Sequence, residues 1–199
     1  MAWKQVRSFN INKMGRKSGW CLQNCAKGFG IDYGQFASAK ADMESQKKNG
    51  TLHPLTTLPS NVAIPVYIDT ASKYEHVEVY DRGTWYSDGK KVSAPASKKV
   101  FGWGELCDGR RVVEWINDGF LPPKGYWKPG DIDPRIGELS TFMYRTFPGY
   151  TDKRALGNYY GKFLTASIKE FQRRTNLKPV DGCVGKETYA MLKKYGFKG

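Results

Sequence analysis

A segment rich in proline and glycine limits how this chain can fold. Residues 121–134, from Leu121 to Pro134, contain four prolines and two glycines, a composition that cannot continue a helix or a central strand. We therefore predict a domain over residues 1–121, a linker over residues 122–136 and a small module over residues 137–199. The length of 199 residues agrees with one full-sized domain plus one module.

Before this boundary, helical patterns are followed by strand patterns. Residues 18–27 and 33–48 have the composition of helices, and short β-branched or aromatic runs follow from residue 61 to residue 115, separated by turn residues such as Asp81-Arg82-Gly83. This order predicts an α+β domain in which helices pack on an antiparallel sheet. Pro65 places the first long strand at an edge of the sheet or at a bulge.

After the boundary, a short pattern occurs twice at an offset of 24 residues. Gly161-Lys162, Ala166, Ile168-Lys169 and Phe171 recur as Gly185-Lys186, Ala190, Leu192-Lys193 and Tyr195. Each copy reads as a turn followed by one amphipathic helix. The pattern predicts a small all-α module.

The chain is strongly basic, with 32 Lys and Arg against 19 Asp and Glu and a net charge of +13. Such a charge favours a polyanionic partner: nucleic acid, an anionic membrane or an anionic cell wall. The sequence lacks three features of nucleic-acid-binding proteins: a recognition helix dense in arginine, a zinc pattern and a sheet with aromatic and basic residues. We therefore do not expect nucleic acid to be the partner. No apolar run is long enough for membrane insertion. The N-terminus lacks the apolar stretch of a secretory signal, so we expect a cytoplasmic protein. We also expect the protein to be a monomer.

The cysteines and histidines restrict the chemistry. Cys21, Cys25, Cys107 and Cys183 form no CxxC pair, and the chain has only two histidines. We therefore expect no structural zinc, no disulfide framework and no metal or organic cofactor.

Cys21 is the candidate nucleophile. It falls in the first turn of the helix predicted after Gly19, where the backbone N–H groups and the helix dipole favour a thiolate. Cys25 lies one turn further along the helix and is expected in the core. Cys107 and Cys183 are expected to be structural.

His76 is the candidate general base. It begins a strand on which His76 and Glu78 face one side, while Val77 and Val79 face the other. A hairpin through the turn at residues 81–83 would bring Asp88 beside His76 and orient its ring. The other histidine, His53, precedes a proline in a loop and is expected to pack or to lie on the surface.

These N-terminal residues resemble a known family. Gly19-Trp20-Cys21 and the strand from Glu75 to Tyr80 resemble the CHAP family (cysteine, histidine-dependent amidohydrolase/peptidase) and its NlpC relatives, over roughly residues 15–115. The resemblance implies a papain-like fold, Cys21 as nucleophile, His76 as base and Asp88 as the third polar residue. Glu75 stands where glycine is usual, and Asp88 is an uncommon third residue, so Glu78 is the next choice for orienting His76.

The C-terminal residues resemble a second family. Ile168, Phe171-Gln172, Leu177, Asp181-Gly182, Val184-Gly185 and Thr188 resemble the pattern of the peptidoglycan-binding domain family of small helical modules. This resemblance implies bacterial peptidoglycan, an anionic wall polymer, as the partner.

Together, the two resemblances imply a phage endolysin. Such an enzyme is a peptidoglycan hydrolase that stays in the host cytoplasm until it is released to the wall, and it cleaves an amide bond by Cys-His acyl transfer. It could be an N-acetylmuramoyl-L-alanine amidase or a peptidoglycan endopeptidase. Two alternatives stay open: a non-catalytic wall-binding protein, and a carboxylate-dependent glycosidase, that is, a muramidase.

Overall fold

The computed structural model describes residues 3–199, which divide into two compact units, Trp3–Ile116 and Asn117–Gly199. The N-terminal unit is mixed α/β, and the C-terminal unit is helical. The division lies between Ile116 and Asn117, whereas the sequence placed a boundary after Leu121.

The N-terminal unit contains two helices and ten short strands within the described residues. The helices are α1 (Cys21–Gly28) and α2 (Ala39–Lys48). The strands are β1 (Trp3–Gln5), β2 (Leu52–His53), β3 (Ala63–Ile68), β4 (His76–Asp81), β5 (Thr84–Ser87), β6 (Lys90–Val92), β7 (Val100–Gly104), β8 (Leu106–Cys107), β9 (Arg110–Arg111) and β10 (Val113–Trp115).

Six of these strands form one sheet in the order β2-β7-β3-β4-β5-β6, and every neighbouring pair is antiparallel. The predicted antiparallel sheet with helices in the same domain is therefore confirmed. The run at residues 110–115 forms two strands rather than one, because β9 pairs with β8 while β10 pairs with β1.

Pro65 lies in β3, which is an interior strand between β7 and β4 and is buried along its length. Of the two predicted alternatives, the edge position is wrong, and the bulge agrees with the shift of the β3–β7 register between Tyr67 and Ile68. Pro65 faces Val79 of β4, whereas the pairing with β7 covers only Val66, Tyr67 and Ile68. A proline fits this interior strand because the ladder with β7 does not reach it.

Helix α1 packs on the sheet through its apolar side. Leu22, Cys25 and Ala26 are buried in one cluster with Val77 and Val79 of β4. The alternation on β4 is as predicted, because these two valines face the core and His76 and Glu78 are only partly covered. This packing places Cys21, the first residue of α1, near His76, the first residue of β4.

Strands β4 and β5 form the predicted hairpin. Asp81 pairs with Thr84 and Val79 pairs with Tyr86, so the turn is the two residues Arg82 and Gly83. Both have positive φ, +46° for Arg82 and +97° for Gly83. Positive φ at both central residues is typical of a type I′ turn, whose twist matches that of the strands.

Helix α2 begins at Ala39 rather than at Tyr33. The Ser38 side chain accepts a hydrogen bond from the Ala41 N–H and caps the helix. The preceding loop is held in a non-helical shape by the buried Asp108, whose carboxylate accepts hydrogen bonds from the N–H groups of residues 34, 35 and 36. This loop leads directly to the cavity described below.

The segment expected to be a linker packs within the C-terminal unit. Trp127 is 3% exposed, pairs its backbone with Val184 and donates its indole N–H to the Phe120 carbonyl. Ile132 forms a further bridge with Tyr159. The structure therefore shows much of the proline- and glycine-rich segment to be part of a folded unit, because its aromatic residues find partners there.

Three helices form the body of the C-terminal unit: α3 (Pro134–Thr146), α4 (Lys162–Arg174) and α5 (Lys186–Lys194). Helices α4 and α5 begin immediately after the repeated glycines, Gly161 and Gly185, so the predicted helix repeat is confirmed. Their buried faces supply the core with residues such as Leu164, Phe171 and Leu192.

Candidate active site

Cys21 lies in the first turn of α1, as predicted, and is the first residue of that helix; its thiol is free and partly exposed. The helix begins three residues later than the predicted range of 18–27, and its cap residue, Trp20, makes no side-chain hydrogen bond to the helix. The N–H groups of the first turn therefore receive no hydrogen bond acceptor from the cap side chain. These N–H groups and the helix dipole favour an anion beside Cys21.

His76 is the first residue of β4, and its side chain is 25% exposed. Hydrogen bonding with the Cys21 side chain is the largest cause that raises the pKa of His76 to about 10, and Glu78 is the next. Partial burial opposes this rise. The two predicted reactive side chains are thus brought together, in a setting that favours a protonated imidazole.

The other partners of His76 come from the hairpin. The Ser87 hydroxyl lies 3.0 Å from His76 Nε2, and Glu78 Oε1 lies 3.7 Å from the same nitrogen. The second carboxylate oxygen of Glu78 is buried and has no hydrogen-bond partner in residues 3–199. Glu78, named above as the next choice for orienting His76, is therefore in contact with the ring, and Ser87 joins it.

Asp88 follows β5 and lines the same cavity as Cys21 and His76. Its carboxylate accepts a hydrogen bond of 2.6 Å from the Asn24 side chain. Asn24 belongs to α1, so this contact fastens the end of the hairpin to the helix that begins with Cys21. The structure thus places Asp88 at the site but gives it a contact with the helix rather than with the imidazole.

The side chains surround an open cavity of about 510 Å³. Its walls come from the start of α1, the loop before α2 and the segment before β4. The lining residues are Gly19, Trp20, Cys21, Leu22, Gln23, Tyr33, Ala37, Ser38, Ala39, Ser72, Tyr74, Glu75, His76 and Asp88. The cavity is large enough for a sugar or a short peptide to reach the sulfur.

Tyr33 is a cavity residue that the sequence did not identify as part of a site. Burial, and then the nearby Asp108 and Cys21, raise the pKa of its phenol, so it stays a neutral O–H donor. No sequence pattern pointed to Tyr33, Ser87 or Asn24, because long-range packing brings each of them to the site.

Glu75 precedes β4 and lines the cavity. Its φ is +54°, in the left-handed region that glycine adopts most easily. Its carboxylate accepts a hydrogen bond from the Thr70 N–H, which holds the loop. Its carbonyl oxygen lies 4.0 Å from the Cys21 sulfur, so this backbone conformation shapes the immediate surroundings of the thiol.

The remaining histidine and cysteines lie elsewhere. His53 is buried, stacks on Trp103 and pairs with Glu105 at 2.9 Å, which makes it a packing residue. Cys25 and Cys107 are fully buried with their sulfurs 3.3 Å apart, and burial raises the pKa of Cys107 far above its ordinary value. Cys183 lies in the C-terminal unit.

Residues 3–199 contain no group of three or more His, Cys, Asp or Glu side chains that could hold a metal ion. In the same described part of the chain, no helix is both long and apolar enough to cross a membrane.

In the C-terminal unit, the buried Gln172 organises the loop before α5. Its amide N–H group donates to the Asp181 carboxylate, the Cys183 carbonyl and the Thr188 hydroxyl, and its oxygen accepts from the Gly182 N–H. Residues 181–188 thus owe their shape to one side chain of α4. The residues that matched the sequence pattern build the fold of this unit.

Comparison with protein families gives one match. Residues 138–192 match the model of the peptidoglycan binding domain family, which confirms the predicted wall-binding module and supports peptidoglycan as a partner. The match indicates a protein associated with the cell wall. Searches of curated proteins and of solved structures found no match.

Proposed function

We propose that this chain is a cysteine-dependent peptidoglycan hydrolase that cleaves an amide bond of the bacterial cell wall. The observation that carries the proposal is that Cys21, at the start of α1, and His76, at the start of β4, line the same open cavity, where Cys21 raises the pKa of His76. The match to a peptidoglycan binding domain in the same chain supplies the substrate class. The N-terminal resemblance to CHAP and NlpC enzymes, with a papain-like fold, agrees with this chemistry.

The reaction begins with a thiolate and an imidazolium. The Cys21 sulfur attacks the carbonyl carbon of the substrate amide, and a C–S bond forms as the carbonyl oxygen becomes an oxyanion. The N–H groups of the first turn of α1, with their dipole, stabilise that oxyanion. Tyr33, a neutral phenol at the cavity wall, is a further donor within the cavity.

His76 then transfers its proton to the leaving nitrogen, the C–N bond breaks and an amine departs. The thioester that remains on Cys21 is hydrolysed by a water molecule that His76 deprotonates. The products are a carboxylate and the regenerated thiol, so no redox partner enters the balance. Because Nε2 faces Ser87 and Glu78, we assign Nδ1 as the nitrogen that exchanges the proton with sulfur.

Asp88 is the positioning residue on the helix side, and Glu78 with Ser87 positions the ring. Through its bond to Asn24, Asp88 keeps the hairpin and α1 in register. In a phage context the protein acts as an endolysin: it accumulates in the host cytoplasm and digests the wall on release. Its basic charge of +13 favours binding to the phosphate-rich polymers of such walls.

The test is digestion of purified sacculi by the full chain and by Cys21→Ala. We expect the variant to lose about a thousandfold or more of the rate, because the nucleophile is gone, while it still co-sediments with the wall. Cys183→Ala is the matched control, since it removes another free and partly exposed thiol, and it should digest normally.

Treatment with iodoacetamide separates this proposal from the rival glycosidase. Alkylation should abolish digestion by the unaltered chain, whereas a carboxylate-dependent muramidase would stay active. If Cys21→Ala digests walls at the normal rate, the chain is not a cysteine hydrolase. If no form of the chain digests walls but all bind, the chain is a non-catalytic wall-binding protein.

A further inference from the structure

Two large aromatic side chains stand exposed at the candidate active site. Trp20 is 41% exposed and Tyr74 is 56% exposed, and both line the cavity. Trp20 immediately precedes Cys21, and Tyr74 lies two positions before His76. Each ring is therefore fixed by the same backbone that positions a reacting group.

These rings do not complete the core of the N-terminal unit. Three other large hydrophobic side chains of this unit are similarly exposed in its described residues, Val6, Phe101 and Ile116, and they do not line the cavity. Exposed aromatic rings that line a cavity are typical of a binding surface. A flat ring presents an apolar plane, which suits the C–H face of a sugar.

Each ring is accompanied by a lysine. Lys17 Nζ lies 3.8 Å from the centre of the Trp20 ring, and Lys73 Nζ lies 4.8 Å from the centre of the Tyr74 ring. Such contacts hold the rings in place and set an ammonium group beside each ring, while Glu75 and Asp88 also line the cavity. The rings with their lysines thus complement a ligand that combines a sugar ring with carboxylates, as a sugar substituted with a stem peptide does.

We propose that Trp20 and Tyr74 bind the N-acetylmuramic acid ring of peptidoglycan, so that the bond cleaved is the amide between its lactyl group and the first residue of the stem peptide. This assignment rests on the proposed function and narrows it to an amidase. The hydrolysis releases the lactyl carboxylate on the sugar and a free amine on L-alanine, with one water consumed.

The position of Trp20 distinguishes this bond from the others. The lactyl arm is short, so a sugar stacked on the residue next to Cys21 presents its own amide to the sulfur. Bonds inside the stem lie further away, by about 3.3–3.6 Å for each extended residue. A sugar held beside Cys21 therefore favours attack on the lactyl amide over attack on an interior peptide bond.

Binding is measured first, on the full chain with Cys21→Ala so that no ligand is consumed. The two probes are N-acetylmuramoyl-L-alanyl-D-isoglutamine and the same dipeptide without the sugar. We expect calorimetry to give a Kd at least about tenfold lower for the muramyl probe, equivalent to about 1.4 kcal/mol. Adding Trp20→Ala or Tyr74→Ala should reduce this preference, and Trp20→Phe should keep part of it.

Phe101→Ala is the matched control, because it removes an exposed ring outside the cavity, and it should leave both Kd values unchanged. Because all of these variants lie in the N-terminal unit, a change in Kd that is confined to the Trp20 and Tyr74 variants reports binding at the cavity and not binding by the C-terminal unit. Equal affinities for the two probes would overturn the proposal. An equal loss of both affinities in Trp20→Ala would overturn it too, since the rings would then contact the peptide.

Product analysis is the second measurement. Mass spectrometry of wall fragments digested by the unaltered chain should find intact sugars with a lactyl carboxylate and peptides that begin with a free alanine amine. A cut inside the stem would refute the assignment while leaving a cysteine hydrolase. If the unaltered chain digests nothing, the proposed function fails, and the two probes still decide whether the rings bind the sugar.

Discussion

Charged side chains have different surroundings in the two units. In the C-terminal unit, hydrogen bonds from arginines lower the pKa of Asp152 and of Glu170 to about 2, and these ion pairs lie on the surface. In the N-terminal unit, the cavity holds His76 against a thiol and a carboxylate that has one unpaired oxygen. Surface pairing of this kind adds little stability, whereas a perturbed group in a cavity is typical of a reactive site.

The backbone shows the same contrast. Residues other than glycine with positive φ in the N-terminal unit are Ala71, Glu75, Arg82, Asp88 and Asp108, and Asn176 is the single example among the described residues of the C-terminal unit. Glu75 and Asp88 line the cavity. Strained backbone therefore lies at the site proposed for chemistry, and the unit proposed for adhesion has a more regular backbone.

Gln172→Ala should have the largest effect on stability, and it should act on the C-terminal unit alone. The substitution leaves the Gly182 N–H and other buried partners without hydrogen bonds, so we expect the free energy of unfolding to fall by about 2–3 kcal/mol. Urea denaturation measures this fall, and co-sedimentation with sacculi measures the loss of binding that follows. Hydrolysis of small soluble muropeptides should be unchanged.

The control for Gln172→Ala is Arg173→Ala, at the next position of α4. This control removes only an exposed ion pair with Glu170. We expect its free energy of unfolding to change by less than about 0.5 kcal/mol. Equal stabilities for the two variants would mean that the loop at residues 181–188 does not depend on Gln172.

Glu78→Gln should change the pH dependence of hydrolysis. The Glu78 carboxylate is one of the groups that raise the pKa of His76 to about 10. Without that charge the pKa of His76 falls toward its ordinary value, so the imidazolium loses its proton at a lower pH. We expect the alkaline limb of kcat/KM to move to lower pH by on the order of one unit. Glu114→Gln, which alters an exposed carboxylate, should not move it.

His76 also makes the unfolding free energy depend on pH, and the direction of that dependence follows from its raised pKa. Because the pKa of His76 is higher in the folded chain than its ordinary 6.5, its contribution to stability is complete below pH 6.5. That contribution is lost as pH rises through about 10. The unfolding free energy of the unaltered chain should therefore decline more between these pH values than that of Glu78→Gln. Parallel profiles would contradict the ion-pair arrangement.

Glu75→Gly should have the smallest effect. Glycine removes the strain of a positive φ, worth about 1–2 kcal/mol, but the hydrogen bonds to Thr70 are lost as well. We expect a net change in unfolding free energy within about 1 kcal/mol, measured in urea, and normal hydrolysis. Glu75→Val keeps the strain with a branched side chain and should be less stable than the glycine variant. The reverse order would show that the backbone is not strained there.

Local patterns could be predicted from the sequence where neighbouring residues determine them. The presence of α1 with Cys21 in its first turn, the alternation along β4 and the β4–β5 hairpin follow from nearby residues, whereas the helix begins three residues later than predicted. The repeated helices follow from a pattern that occurs twice in the chain. Cys21 and His76 could be named as candidates because few residues in the chain are suited to this chemistry.

Contacts between distant segments could not be predicted. Asn24 approaches Asp88, and Asp108 shapes the loop before α2, only after the sheet has formed. The path of the segment at residues 122–136 depends on where Trp127 finds a buried place. In each case a side chain could choose among several partners, and three-dimensional packing decides among them.

The two-residue turn at Arg82 and Gly83 restricts how this chain can vary. Since side chains alternate along a strand, one inserted residue would shift β5 by a single position against β4. Tyr86 would then leave the core, and Ser87 would leave the imidazole. Relatives of this protein should therefore exchange residues in the turn while conserving its length, and deletions or insertions should accumulate in other loops.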